Sequence, residues 1–399
     1  MSFAQQQPGG PRRPPTRGPS TPRRVTLLEL FFDLVYVVAL ALISRDLAGE
    51  ITWYQAGQGL ILLAAVWWTW TLTSLVADLY DPDRVEIKVL LVAAMFGVLM
   101  MSTAIPKAFG DRGLIFAGSY VVIHLGRGLI LVPTLRDDPV IQRRAIRVLC
   151  WFALSAVPWI AGAFASDDIR MALWLLAVGI DYLGLRLAYP VPGIGTVPGS
   201  QLRVIAEHLA ERYQQFYTIA LGDLILVTGM AYSREHAHAE NTVALLLAFV
   251  TTLLLWRIYV HKSGEMLPLA LRLSRDSARF LNTAPYSHLL MVAGVVTTAA
   301  GFELVLHDLP TPTPAAWAAV ILGGPALFLT GRAFFEYEVF NRVSPSRPVG
   351  VLALSTVAPA VLFLPTLAAS LAAMLVLAAV ALADLRRTLG RPPELPTPP

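Results

Sequence analysis

From residue 28 onward the chain is a succession of long apolar stretches parted by short polar ones. Each approaches the roughly 20 residues that a helix needs, at about 1.5 Å of rise per residue, to cross a hydrocarbon layer of about 30 Å. One such stretch could be the core helix of a soluble protein, but a dozen could not. Hydrophobic residues make up 56% of the chain and charged residues 15%, with a mean hydropathy of +0.60, whereas soluble domains carry roughly 25% charge. The pattern is that of an integral membrane protein.

Hydropathy predicts helices near 28–48, 57–77, 87–105, 113–132, 145–164 and 169–187, then near 207–229, 241–260, 284–306, 314–334, 349–364 and 367–385. The last two are parted only by Pro365 and Thr366, so a re-entrant hairpin and a total of ten or eleven spans stay open. The expected fold is an all-α polytopic membrane protein of about 12 transmembrane helices in two parallel six-helix pseudo-repeats. The first repeat would occupy 25–190 and the second 200–390, flanked by tails at 1–24 and 391–399. Residues 1–24 are rich in Pro, Gly, Gln and Arg, too polar to order by burial, and read as a disordered cytoplasmic tail. The apolar region after Arg24 is too long and too acidic for a cleavable signal.

Cytoplasmic loops are enriched in Lys and Arg. With the N-terminus inside, the inner segments hold Arg12, Arg13, Arg17, Arg23 and Arg24, then Arg136, Arg143, Arg144 and Arg147, and later Arg257, Lys262, Arg272, Arg275 and Arg279. Outer loops hold only Arg45, Lys107, Arg112, Arg170 and Arg234. Both termini are therefore expected in the cytoplasm, and the formal charge of +4 is a topology signal with no bearing on nucleic acid. Cys150 is the only cysteine, which excludes an internal disulfide and argues against thiolate ligation of a metal.

Ionisable residues inside such helices are candidates for function. Glu29 and Asp33 stand one turn apart on one face of the first helix. Internal similarity supplies further candidates: LELFFDLVYVVALAL in helix 1 against AERYQQFYTIALGDL in helix 7, Gly126-Arg127 against Gly331-Arg332, and Asp181 against Asp384. Depth along the helices then predicts an acid–arginine pair in each half, Glu29 or Asp33 with Arg127 and Glu211 with Arg332. The run EHLAER sets Glu207 with Glu211 and His208 with Arg212 at i,i+4 spacing, at once a possible proton relay and an ordinary acidic helix start. Asp223 lies deeper in helix 7, at a depth that Glu303 could share. His124 and His288 are intramembrane imidazoles that could equally be structural. The loop SREHAHAE has zinc-ligand residue types without a rigid scaffold, so no metal site is expected. Walker, Rossmann and HExxH motifs do not occur, and neither a nucleophile nor a metal constellation marks an intramembrane enzyme.

At ELFFDLVYVVAL the chain resembles the bacterial low temperature requirement protein A (LtrA) family, whose first helix opens on an E-L-F-F-D-L-V-F motif. The resemblance continues at ALWLLAVGIDYLG (172–184), EHLAERYQQFYTIALGD (207–223) and YSHLLMVAGVVTTAAGFEL (286–304). It implies importance for Glu29, Asp33, His208, Glu211, Arg212 and Asp223, with Asp223 standing where the family commonly has Glu and Tyr213 where it has Phe. It also implies a bacterial inner membrane. Phe32-Asp33 bears a looser likeness to the first-helix signature of a lysosomal potassium-channel family of two six-helix repeats.

The expected function is secondary transport of a small solute or ion, with protonatable intramembrane carboxylates, among which Asp33 and Asp223 lead and Arg127 and Arg332 set charge balance. The alternatives are a cation channel and a structural or sensory membrane protein needed for growth in the cold. No cofactor is expected, and the partners are the lipid bilayer and a small solute, proton or cation.

Overall fold

Helix starts and stops in this chain are set by local chemistry as well as by hydropathy. Thr52 caps one helix by accepting from the Gln55 amide at 3.1 Å. Asp138 caps another through the amides of Val140 and Ile141, with Pro139 in the first helical position. Asn341 ends a third in the left-handed region at φ 51°.

The computed structural model describes residues 27–49, 51–80, 84–197, 206–234, 238–261, 266, 269–270, 277–307, 311–389 and 396–397. Among these residues the protein is all-α, with twelve α-helices: α1 (Leu27–Gly49), α2 (Trp53–Leu79), α3 (Val85–Ala104), α4 (Gly113–Thr134), α5 (Pro139–Phe164), α6 (Asp167–Arg186), α7 (Ala206–Arg234), α8 (Ala239–Tyr259), α9 (Ser277–His307), α10 (Ala315–Phe340), α11 (Ser346–Val361) and α12 (Thr366–Thr388). Each sits on one of the expected stretches. The tail at 1–24 lies outside the described residues, as does most of 391–399.

Ten of these helices are long and apolar enough to cross a membrane. The other two fall short for separate reasons. α6 carries Asp167, Asp168, Arg170, Asp181 and Arg186 in its 20 residues, and α11 has 16 residues, about 24 Å of helix. α11 and α12 are distinct helices joined by the short turn 362–365 and packed on each other.

Neighbour relations repeat along the chain. Within α1–α6 the first helix packs on the second and third, the second on the third and sixth, and the third to sixth pack in succession; the same pairs occur among α7–α12. The two groups meet where α1 and α2 touch α7 and α9. α2 and α9 are the most deeply buried of the spans, whereas α5 and α12 show most of their surface to the outside. The approach of α9 to α10 is close enough to require glycine. A Cβ on Gly294 would lie 2.5 Å from the Phe328 amide nitrogen, and one on Gly331 would lie 2.8 Å from the backbone at Ser287 and Met291. Small residues at a contact allow this packing in lipid, where apolar side chains gain nothing from leaving water.

Candidate functional site

Three helices each contribute an i,i+4 pair of polar residues to one junction. On α1 these are Glu29 and Asp33, on α2 Ser74 and Asp78, and on α7 His208 and Arg212. That spacing stacks the two members of each pair along one helix face, and the three faces meet at the end of the bundle where α1 and α7 begin and α2 finishes. The flanking α1 residues Leu30, Phe31 and Leu34 are exposed, whereas Phe32, Asp33 and Tyr36 are buried, so the acidic face of α1 points inward.

The arrangement has two tiers. In the deeper one Arg212 Nη2 donates to Asp33 Oδ1 at 2.7 Å and to Ser74 Oγ at 3.0 Å, and Trp70 Nε1 donates to the same Asp33 oxygen at 2.8 Å. Asp33 and Arg212 are both 0% exposed. In the outer tier His208 Nδ1 donates to Asp78 Oδ1, and His208 Nε2 lies 3.9 Å from Glu29 Oε2. Around both tiers pack Phe32, Tyr36, Trp67, Trp70, Tyr213 and Phe216, and the Arg212 guanidinium lies 5.7 Å from the Phe32 ring centre. Aromatic walls of this kind exclude water and strengthen the charge interactions inside.

Among the described residues, three carboxylates here face one guanidinium and one imidazole. Among the described residues Asp33 Oδ2 and Asp78 Oδ2 are buried without a hydrogen-bond partner, leaving acceptor capacity that a proton or a cation could use, while two Arg212 nitrogens are buried donors without an acceptor. Glu29, Asp78 and His208 hold three ligand-type atoms within 4.8 Å of one another, a set of hard oxygen and imidazole donors suited to a divalent ion.

The expected acid–arginine pairs are not those formed. Asp33 takes Arg212 of α7 instead of Arg127. Depth along a helix fixes only one coordinate; α4 packs on α2, α3 and α5 while α1 packs on α2, α3, α7 and α9, so Arg127 and Arg212 approach from different sides. Arg127 Nη2 donates to His124 Nδ1 at 2.7 Å and its guanidinium lies 5.3 Å from the Phe152 ring centre. Glu211 is exposed and does not meet Arg332, because His208 and Arg212 occupy the inward face of α7. Arg332 donates to the carbonyls of Ile258 at 3.0 Å and His261 at 2.6 Å and stands 3.9 Å from Glu336.

The remaining candidates lie outside the two tiers. Asp181 accepts from Tyr120 at 2.7 Å and Trp159 at 3.2 Å. His288 donates from Nδ1 to the Ala284 carbonyl at 2.9 Å and stacks on Tyr213, the surroundings of a structural histidine. Asp223 is 0% exposed, and among the described residues neither of its carboxylate oxygens has a hydrogen-bond partner. It lies within electrostatic reach of Glu303 of α9, as its depth suggested, and Glu303 stands 3.8 Å from Arg45. The sequence reading missed Ser74 and Asp78 as site residues, although they repeat on α2 the i,i+4 polar pair that singled out Glu29 and Asp33 on α1.

The fold and its buried charges define an all-α, polytopic membrane protein with an ionisable core. Comparison with known proteins narrows the class: the profile of the bacterial low temperature requirement A protein (LtrA) family matches residues 24–382, and the chain belongs to that family. A protein of Rhizobium meliloti (strain 1021), named only as uncharacterized, is 34% identical over 334 residues, which cover 82% of this chain and 80% of the relative. No solved structure matches.

Proposed function

We propose that the chain is a secondary transporter of a small solute or ion whose cycle is coupled to protonation of buried carboxylates. The observation that carries this reading is the two-tier ladder at the junction of the two helix groups. Intramembrane acids are costly and are found on ion and proton pathways, and here three of them gather where one group of helices meets the other. α7 links that ladder to Asp223 farther along the same helix, a second buried carboxylate with no bonded partner. A change in protonation at either place alters the charge that the α1–α7 contact must bury. Rocking of one group of helices on the other is the motion such a change would bias.

The repeated neighbour pairs support reading α1–α6 and α7–α12 as two copies of one unit in the same orientation, and the Lys and Arg distribution supports placing the ladder end in the cytoplasm. Against the channel alternative stands the filling between α1 and α7, where the rings of Tyr36 and Phe216 lie 6.0 Å apart.

The test is flux of protons and of potassium or sodium across liposomes holding the purified protein under an imposed pH gradient. Wild type should move protons, and Asp33→Asn and Asp223→Asn should each reduce the rate at least tenfold. Unchanged flux in both variants, or a folded wild type that moves no protons, would overturn the proposal.

A further inference from the structure

On the other side of α2 from the ladder lies a cavity of about 250 Å³ between α2, α4, α5 and α6. Its walls are mostly aliphatic, with Leu72, Val76, Leu131 and Val148 among them, yet two guanidiniums, Arg127 and Arg144, also line it. Both are buried, and no Asp or Glu is among the lining residues.

Neither arginine has an anionic partner among the described residues. Arg127 donates to His124 Nδ1, which must therefore be the unprotonated nitrogen of that ring, and Arg127 Nη1 is buried with no partner at all. Asp181, the acid whose charge acts on it, forms no ion pair with it among the described residues; its Oδ2 accepts from Tyr120 and Trp159 and its Oδ1 is buried without a hydrogen-bond partner. Arg144 donates to the Tyr80 hydroxyl at 3.1 Å. Tyr189, also in the wall, has a buried hydroxyl without a partner, and burial pushes its phenol well above the usual range, so it remains a donor. Two buried cations and a free hydroxyl facing an aliphatic space leave an anion missing.

The second helix group shows what fills the comparable place there. Arg332 of α10 and Arg347 of α11 stand in the order of Arg127 of α4 and Arg144 of α5. Between them lies Glu336, with its Oε2 3.3 Å from Arg347 Nε and 3.9 Å from Arg332 Nη1, while Arg347 also pairs with Asp384 at 2.7 Å. Glu336 follows Arg332 by four residues; the residue four after Arg127 is Leu131, in the cavity wall. Where one group carries its own carboxylate, the other has a leucine and an empty space.

We propose that this cavity binds a single-chain amphiphilic carboxylate, the headgroup held by Arg127, Arg144 and Tyr189 and the short alkyl chain lying against the aliphatic walls. The volume is slightly below the range of about 300–1,000 Å³ usual for drug-sized ligands, which suits a medium-chain acid and is too small for a two-chain phospholipid. Such binding would hold whether or not the chain transports anything.

The experiment is equilibrium binding of radiolabelled decanoate to the full protein in nanodiscs of phosphatidylcholine, with empty nanodiscs as the baseline. Saturable binding near one per protein is expected, with decanol competing at least tenfold more weakly than unlabelled decanoate. Arg127→Gln should weaken binding at least tenfold, and Val148→Trp, which fills the cavity and keeps both charges, should abolish it; Arg127→Lys should restore part of the loss. Arg386→Gln, exposed at the end of α12 and outside the cavity, should leave it unchanged. Absence of saturable binding, equal displacement by decanol, or wild-type affinity in both Arg127→Gln and Val148→Trp would overturn the proposal. Nanodiscs of phosphatidylglycerol separate the sources of anion: unchanged affinity is expected, and a loss of tenfold or more would show that bilayer lipid, not a free carboxylate, occupies the site.

Discussion

Asp33 and Arg212 carry opposite charges into an interior from which water is excluded, and each is the other's closest ionic partner. Breaking a buried pair by removing one member typically costs about 3–5 kcal/mol, because the remaining charge stays buried and unpaired. Asp33→Asn and Arg212→Gln should therefore each lower the thermal stability of the purified protein markedly, and the double variant should recover much of that loss. Arg127→Gln serves as the control, since it shares no bond with Asp33; combined with Asp33→Asn its effect should simply add, and rescue in that combination would show that the arginine assignment is wrong. Asp223 predicts the opposite sign. With neither oxygen bonded among the described residues, Asp223→Asn removes a carboxylate that no described residue pairs with, so its unfolding temperature should equal or exceed that of wild type, measured in the same detergent. A clear loss of stability would show that Asp223 has a structural partner.

At the scale of helices the sequence was readable wherever one dimension sufficed. Hydropathy placed every one of the twelve helices among the described residues, and the acidic face of α1 followed from the i,i+4 spacing of Glu29 and Asp33. What hydropathy does not encode is azimuth, the side of a helix that meets a given neighbour. Arg127 and Arg212 both lie at a depth suited to Asp33, and only the packing of α7 on α1 selects between them. Asp78 was passed over for a related reason: at the end of an apolar helix it looks like the start of a polar loop, Asp78 to Asp83, until α2 is seen to hold it against His208. The α9–α10 contact gives an element-scale prediction. Gly331→Leu would drive its side chain into the backbone at Ser287 and Met291, where the usual penalty for overpacking is about 1–3 kcal/mol or more. Loss of a monodisperse peak in size-exclusion chromatography, with Gly323→Leu unaffected because a Cβ there meets nothing within 4 Å, is the expected result; equal behaviour of the two variants would contradict the close approach.

Over the whole molecule, the ladder joins residues 130 and 179 positions apart in the chain, so it exists only if the two helix groups are docked on each other. This makes the α1–α2–α7 junction a structural joint and, under the proposed function, the place where protonation acts on that docking. The same end of α2 turns Asp78 toward α1 and α7 and faces, toward α4 and α5, two guanidiniums with no anionic partner among the described residues. The sequence exposed the individual charges but could not show this division, because it arises from which faces of α2 the surrounding helices cover. Under the proposed function Asp33 serves proton movement and does more than hold helices together. The decisive measurement compares proton flux in liposomes for wild type, Asp33→Asn and the Asp33→Asn/Arg212→Gln double variant, each at matched, verified reconstitution. The double variant is expected to regain stability while its flux stays at least tenfold below wild type; restoration of wild-type flux along with stability would show that the pair is structural only.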